Sequence, residues 1–172
     1  MVGTRDCKDL LYVLAVVNVV TGVLHADTLE SPARAKAATG KSKTRRMQEA
    51  FAAHLRHVAR LHAAKEHKRV VLIIDNAPCR GGWPIDEARA EHPHLEFDRL
   101  PSDHPHLNVI ERFWQVLRRR ATHNRLFDHL VHLRPSVRNR SCDFQTVRGR
   151  VRRLVAKSDT RPRTGRHQGV RV

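Results

Sequence analysis

Two carboxylates occupy positions in the sequence where a side chain can do chemistry. Asp75 directly follows the apolar run Val70–Ile74, and the carboxyl end of a strand is where ligands and catalytic groups gather in open α/β sheets. Glu111 lies 36 residues later, in the first turn of the amphipathic segment 109–120. Both side chains offer the hard oxygen ligands that a divalent metal ion such as Mg²⁺ prefers.

Each carboxylate also has a purely structural explanation. Asp75 and Asn76 can end the strand through an Asx-type turn. The segment Asn108–Glu111 has the form of a capping box, in which Asn108 is the N-cap and Glu111 bonds back to the start of the helix. Residue types and spacing leave both explanations open for both residues.

An α/β domain is predicted to hold these residues. The runs Leu10–Asn18 and Val23–Leu29 flank a glycine-containing turn, which predicts an antiparallel hairpin. Five successive apolar residues at Val70–Ile74 predict a strand buried on both faces, and the alternation in Leu95–Leu100 predicts another strand. Apolar spacing predicts helices over residues 45–63, 84–91, 109–120 and 143–156. The order of these elements indicates helices packed against a mixed sheet.

Three segments carry a resemblance to a known family. They are residues 71–78 (VLIIDNAP), 100–114 (LPSDHPHLNVIERFW) and 122–127 (THNRLF). Together they resemble the DDE endonuclease domain of bacterial insertion-sequence transposases related to mariner elements, over most of residues 10–155. The resemblance implies a ribonuclease-H-like mixed sheet flanked by helices, and metal-dependent cleavage and transfer of DNA strands. Asp75 and Glu111 would then be the second and third catalytic carboxylates, binding Mg²⁺ or Mn²⁺, with two ions in an intact site.

The first carboxylate of the family pattern has no clear counterpart. In the family it lies on a strand before the hairpin, and only nine residues precede the hairpin here. Asp6 and Asp9 lie in a short polar segment, and Asp27 lies on the second hairpin strand, out of the family's register. We therefore expect residues 1–156 to be a catalytic domain truncated at its N-terminus, lacking its first strand and inactive alone. A non-catalytic DNA-binding remnant with the same fold is the alternative.

Two further departures lie within the best-matching segment. His106 and Val109 stand where the family usually has Asp and Pro, and losing the proline removes a preset φ from the helix start. The histidines around this segment are not spaced to present two ligands on one helix face, so we expect solvated side chains and not zinc ligands; they are His92, His94, His104 and His106, with Cys79 nearby. Residues 35–42 lack the first glycine of a phosphate-binding loop, so no nucleotide cofactor is expected.

Positive charge is concentrated in the last third of the chain. From Arg112 onward there are 17 Lys and Arg against 3 Asp and Glu, a net charge of +14 out of +16 for the whole chain. This distribution indicates a polyanion binder, and DNA (transposon ends and target) is the predicted partner. Seven arginines are predicted to contact phosphates: Arg118, Arg119, Arg120, Arg148, Arg150, Arg152 and Arg153. A ribosome-associated or merely disordered basic tail is the alternative, and residues 157–172 are predicted to be disordered.

The cysteines and the N-terminal segment bear on location. Three cysteines lie far apart without a CxxC pair, as expected in a reducing compartment. The family resemblance and the DNA partner that it implies lead us to expect a nucleoid-associated protein of the bacterial cytoplasm. Arg5 and Lys8 precede the apolar run Leu10–Val20, which superficially resembles a signal peptide. Asn18 and Gly22 interrupt this pattern, and the run is too short to span a bilayer. No membrane partner is expected, and a homodimer is an open alternative to a monomer.

Overall fold

The computed structural model describes residues 2–3, 10–31, 40–102, 107–123, 125, 127 and 129–156. Within these ranges the chain forms five β-strands, five α-helices and one 3₁₀ turn. In chain order the elements are β1 (Val2–Gly3), β2 (Leu10–Val17), β3 (Leu24–Ser31), α1 (Lys43–Leu61), β4 (Val70–Ile74), the 3₁₀ turn Pro78–Arg80, α2 (Trp83–Glu91), β5 (Leu95–Arg99), α3 (Glu111–Thr122), α4 (Leu130–Thr146) and α5 (Arg148–Ala156).

The predicted hairpin is confirmed. Strands β2 and β3 pair antiparallel along all eight residues of each, and β1 adds two residues at the free edge of β2. In the turn, Asn18 Oδ1 accepts hydrogen bonds from the N–H groups of Val20 and Thr21, both at 3.0 Å. Gly22 has a φ of 73°, and a Cβ there would lie 2.4 Å from the carbonyl oxygen of Arg148. Glycine therefore supplies both the left-handed backbone and the room for α5.

The hairpin is packed on both faces because the side chains of β2 alternate in direction. Leu14 and Val16 point to a core cluster formed with α1, α2, β4 and β5. Leu11 and Val13 point to a second cluster formed with α3, α4 and α5. The largest fully buried side chains are divided between the two clusters: Val58 and Ile85 in the first, and Leu24, Phe113, Leu133, Val137, Phe144 and Val151 in the second.

The strands β4 and β5 form a separate parallel pair, in register from Val70 opposite Leu95 onward. The predicted positions are confirmed, but the prediction that β4 is buried on both faces is wrong. Val71 and Ile73 are 48% and 58% exposed, whereas Leu72 and Ile74 are buried. The reason is that α1 and α2 cover only one face of this pair, and the described C-terminal helices pack against the hairpin instead.

The α/β class is thus confirmed, while a single ribonuclease-H-like sheet remains a prediction. The described strands form one three-stranded sheet and one two-stranded sheet, without hydrogen bonds between them. None of the helices in the described part of the chain has the length and apolar character needed to cross a membrane.

The helices differ from the sequence prediction at two places. Helix α3 begins at Glu111, two residues later than predicted. The apolar spacing predicts no helix over residues 130–142, which form most of α4, and the single helix expected over residues 143–156 is divided at Val147 between α4 and α5. Pro135 lies within α4, and a proline inside a helix normally signals its end. Burial of Leu133, Val137 and Phe144 against the second cluster stabilises α4 nonetheless.

Candidate functional site

Asp75 is fixed at the edge where two parallel strands end. Leu100 N–H donates to the Ile74 carbonyl at 2.9 Å, and Asn76 Nδ2 donates to the Leu100 carbonyl at 2.6 Å. These bonds continue the pairing of β4 and β5 one step past the strands. The carboxylate of Asp75 is 46% exposed there.

The immediate partners of Asp75 are a backbone amide and an arginine. Asp75 Oδ1 accepts from Ala77 N–H at 3.4 Å, which is the Asx-type contact of the structural explanation. The same oxygen accepts from Arg80 Nε at 3.0 Å. The Arg80 guanidinium also lies 4.3 Å from the centre of the Phe51 ring, so stacking holds it in place. Because arginine stays protonated in proteins, a metal ion at Asp75 would have to compete with a resident positive charge.

Glu111 is the first residue of α3 and does not form the predicted capping box. Its N–H donates to the Asn108 carbonyl at 3.0 Å, and Asn108 Oδ1 accepts from Ile110 N–H at 3.4 Å. The helix start has no side-chain cap hydrogen bond, because Glu111 stands at the first helical position and not the third. The capping-box explanation is therefore wrong, although a carboxylate in the first turn still interacts favourably with the helix dipole.

Glu111 lines a cleft between α3 and β2. The cleft has a volume of about 240 Å³, and Tyr12, Trp114 and Arg118 also line it. The buried Tyr12 hydroxyl has no hydrogen-bond partner among the described residues. Asp75 is not one of the lining residues. The two predicted carboxylates thus lie in different surroundings, Glu111 beside the hairpin and Asp75 beside α1.

The described residues do not assemble the donor set that the predicted two-metal site needs. Holding two divalent ions next to a phosphate takes about three acidic side chains. Within the described ranges, three metal-competent side chains come together once, at Asp27, His54 and His57. That group includes neither Asp75 nor Glu111. Asp6 and Asp9, the other acidic residues weighed from the sequence, lie outside the described residues.

The sequence pattern predicts no site role for Asp27, whereas the structure gives it two histidine partners. Asp27 Oδ2 lies 2.5 Å from His54 Nδ1 and 3.2 Å from His57 Nδ1. The available signal was the three-residue spacing of these histidines on a predicted helix, which places them on one face. The partner strand could not be found in this way, because the contact joins β3 to α1 across a loop.

Burial and hydrogen bonding shift the pKa values of this group. Burial lowers the pKa of the His54 imidazole, although the Asp27 carboxylate opposes this effect. Burial alone would raise the pKa of the Asp27 carboxyl, but hydrogen bonds from His54 and His57 outweigh it and hold that pKa below its usual range. The His25 pKa is also lowered, by burial and by the neighbouring His57 and His62.

The other histidines form no metal-binding group among the described residues. The rings of His92 and His94 meet edge to face, with centres 6.0 Å apart. His94 Nε2 donates to the His62 carbonyl at 2.9 Å, so this ring has a structural role and is not simply solvated. His104 and His106 lie outside the described residues. Ser42, the last residue of the segment that resembles a phosphate-binding loop, is instead the N-cap of α1.

The seven predicted DNA-contacting arginines are all exposed, on two neighbouring helices. Arg112 Nη1, at the start of α3, donates to the Leu154 carbonyl near the end of α5 at 3.5 Å. Arg120, near the end of α3, stacks 5.4 Å from the Phe144 ring shortly before α5 begins. These contacts place the start of α3 beside the end of α5, and Arg120 beside a residue that precedes α5. A basic surface shared by the two helices stays a prediction.

Comparison with known proteins identifies the family. A family model described as DDE superfamily endonuclease matches residues 31–134, more than half of the chain. The matched residues include Asp75, Glu111 and the whole of α3, whereas Asp27 and α5 lie outside the match. Comparisons with curated proteins and with solved structures gave no match. The chain therefore belongs to the DDE superfamily of endonucleases.

Proposed function

We propose that the chain is the catalytic domain of a mariner-related bacterial insertion-sequence transposase, acting on DNA at the nucleoid. The observation that carries the proposal is the family match over residues 31–134, which includes both sequence-predicted carboxylates. In this family the substrate is the DNA backbone. The strands β2 to β5 would then be parts of one ribonuclease-H-like sheet.

DNA binding would take place on the basic surface of α3 and α5. Their seven arginines are exposed, and Arg112 of α3 contacts Leu154 of α5. Guanidinium groups bind phosphate oxygens through paired N–H donors. Contacts of this kind give affinity and orientation without reading the base sequence. We therefore expect strong, salt-dependent binding to duplex DNA with little sequence preference.

Cleavage would require metal at Asp75 and Glu111. In an active member of the family, Mg²⁺ or Mn²⁺ bound by the carboxylates activates the attacking oxygen and stabilises the leaving one. In this chain Arg80 pairs with Asp75, and the described residues bring no third carboxylate to either position. We therefore propose that the isolated chain binds DNA without cutting it.

The DNA-binding part is tested by fluorescence anisotropy of a labelled duplex over a range of salt concentrations. The triple substitution Arg118→Gln, Arg119→Gln and Arg120→Gln should weaken binding about ten-fold or more and reduce the slope of log K against log salt by up to about 3. A matched control removes the same charge from exposed residues outside α3 and α5, at Arg60, Lys65 and Lys68. Equal losses in the two triple variants would contradict the assigned surface.

The cleavage part is tested by nicking of supercoiled plasmid in the presence of Mg²⁺ or Mn²⁺. The wild-type chain should nick no more than the Asp75→Asn variant does. Metal-dependent nicking that disappears in Asp75→Asn would overturn the proposed inactivity while leaving the DNA-binding surface in place.

The ion pair between Arg80 and Asp75 favours a second candidate, a DNA-binding remnant that binds no metal at these carboxylates. Calorimetric titration with Mn²⁺ separates the two. Heat that is lost in both Asp75→Asn and Glu111→Gln supports the catalytic domain. Absence of such heat supports the remnant, and heat that survives both substitutions comes from elsewhere in the chain.

A further inference from the structure

The contact between β3 and α1 brings together three side chains that have no place in the DDE mechanism. Asp27 lies on β3 and is 41% exposed, whereas His54 and His57 lie one helical turn apart on α1 and are 4% and 38% exposed. Solvent therefore reaches the group at Asp27 and His57 but not at His54. The arginines of the basic surface belong to other elements, α3 and α5.

The three ligand atoms are close enough to share one ion. The Asp27 oxygen and the two Nδ1 atoms all lie within 4.8 Å of one another. Two ligands of a tetrahedral zinc ion, with bonds of about 2.1 Å, stand roughly 3.4 Å apart. The Asp27 Oδ2 atom lies 2.5 Å from His54 Nδ1 and 3.2 Å from His57 Nδ1. An ion would therefore need the first separation to increase by about 0.9 Å and the second by about 0.2 Å, and it would replace the protons that these atoms share.

His54 presents its Nδ1 to the site. The side chain is 4% exposed, and its Nδ1 faces the Asp27 carboxylate. A metal ion bound at Nδ1 would replace the proton that this nitrogen shares with Asp27, and the imidazole would then carry its proton on Nε2. Nε2 is buried on the side away from Asp27 and has no hydrogen-bond partner among the described residues, so it takes no part in the site.

The donor set selects the class of metal. Two imidazole nitrogens and one carboxylate oxygen suit Zn²⁺ and neighbouring transition metals, whereas Mg²⁺ prefers oxygen ligands alone. His25 lies two residues before Asp27, and its ring centre is 6.1 Å from that of His57. It offers a further imidazole beside the group, and water or His25 can complete a four-coordinate site.

We propose that Asp27, His54 and His57 bind a divalent transition metal such as Zn²⁺, in a site separate from the carboxylates of the DDE motif. The ion joins β3 to α1 and so fixes the hairpin to the helix whose Phe51 also stacks against Arg80, the partner of Asp75. The site is independent of the proposed function, because neither DNA nor the catalytic carboxylates take part in it.

The proposal is tested by titrating the metal-free full chain with Co²⁺, which reports nitrogen and oxygen ligation through its visible absorption. We expect one Co²⁺ per chain, displaced by Zn²⁺ and retained in excess Mg²⁺. His57→Gln and Asp27→Asn should each weaken binding roughly 100-fold. These residues are partly exposed, so both variants should keep the fold, which circular dichroism checks.

Two controls make the assignment specific. His67→Gln removes an exposed histidine that lies outside the group, and Asp75→Asn removes the family carboxylate; both should bind Co²⁺ as the wild type does. No Co²⁺ absorption in the wild type, or wild-type binding in His57→Gln, would overturn the site. Loss of binding in Asp75→Asn would overturn its separation from the DDE carboxylates while leaving the DNA-binding proposal untouched.

Discussion

The two sheets of the molecule each hold a half-exposed carboxylate against helix α1, and the surroundings give the two different chemistry. The hairpin sheet is covered on both faces and presents Asp27 to two imidazoles. The β4–β5 pair is covered on one face and presents Asp75 to the guanidinium of Arg80. An imidazole can lose its proton and bind a metal together with a carboxylate, whereas a guanidinium can only donate hydrogen bonds.

This difference distinguishes the carboxylate that identifies the family from the carboxylate whose neighbours can bind a metal ion. Asp75 stands in the segment and at the strand end that identify the family, but its nearest side-chain partner is a cation. Asp27 stands outside the matched residues, yet its neighbours are the ones that can complete a metal site. The position of a carboxylate on a strand therefore indicates whether it belongs to the family motif, whereas its side-chain partners determine what it can bind.

The largest expected effect tests how differently the faces of β4 are covered. Ile74→Ala should lower the free energy of unfolding by about 2–4 kcal/mol, because it leaves a cavity in the first core cluster. Ile73→Ala, one residue away on the bare face, should cost less than about 0.5 kcal/mol. Urea denaturation measures both. If Ile73→Ala lowered the free energy of unfolding as much as Ile74→Ala does, the outer face of β4 would be covered in the protein. The two sheets would then not differ in how their faces are covered.

The next effect sharpens the contrast between the two carboxylates. Zn²⁺ at about 100 times its Kd should raise the free energy of unfolding by about 2.7 kcal/mol, equivalent to a rise in Tm of roughly 5–10 °C for a chain of this size. Thermal unfolding with and without Zn²⁺ measures the shift. It should vanish in Asp27→Asn and persist in Asp75→Asn. The reverse pattern would assign the ion to the family carboxylate.

A smaller effect is expected at Arg80. Arg80→Ala should cost about 1–2 kcal/mol, because it removes both the ion pair with Asp75 and the stacking on Phe51. Asp75→Asn should cost less than about 1 kcal/mol, since a half-exposed ion pair contributes little. Urea denaturation of the two variants and of Arg80→Lys measures these costs. If Asp75→Asn is as costly as Arg80→Ala, the ion pair and not the stacking holds Arg80.

The smallest effect is a pH dependence of the metal-free chain. Burial lowers the pKa of His54 below the 6.5 of a free histidine, and repulsion from His57 and Arg80 adds to this while Asp27 opposes it. The unfolded chain then binds more protons as the pH falls through about 6.5, so stability should decrease with falling pH until the folded pKa is reached. Thermal unfolding with a chelator present, at a series of pH values, measures the trend. His54→Gln should flatten it, and an unchanged slope in that variant would assign the trend to other groups.

Local patterns predicted most elements but not their surroundings. The hairpin, α1, β4 and β5 were predictable because each carries its own apolar period and turn residues. The exposure of Val71 and Ile73 was not, since burial depends on whether another element packs against them. Helix α4 was hidden by Pro135 and is stabilised by tertiary packing.

The candidate sites follow the same rule. The positions of Asp75 and Glu111 could be predicted because strand ends and helix starts are local features. The pairing of Asp75 with Arg80, and of Asp27 with two histidines of α1, could not be predicted in this way. Those contacts depend on how separate elements pack, which residue spacing within one element does not encode.

The close approach of Gly22 to Arg148 has a consequence for the order of folding. The hairpin turn forms from residues adjacent in sequence, whereas α5 comes from the far end of the chain and packs against the closed turn. Contacts between such distant residues form late, because a long loop must close first. We therefore expect α5 to be the last helix to pack. A growing chain would then complete its hairpin before the arginines of α5 join those of α3.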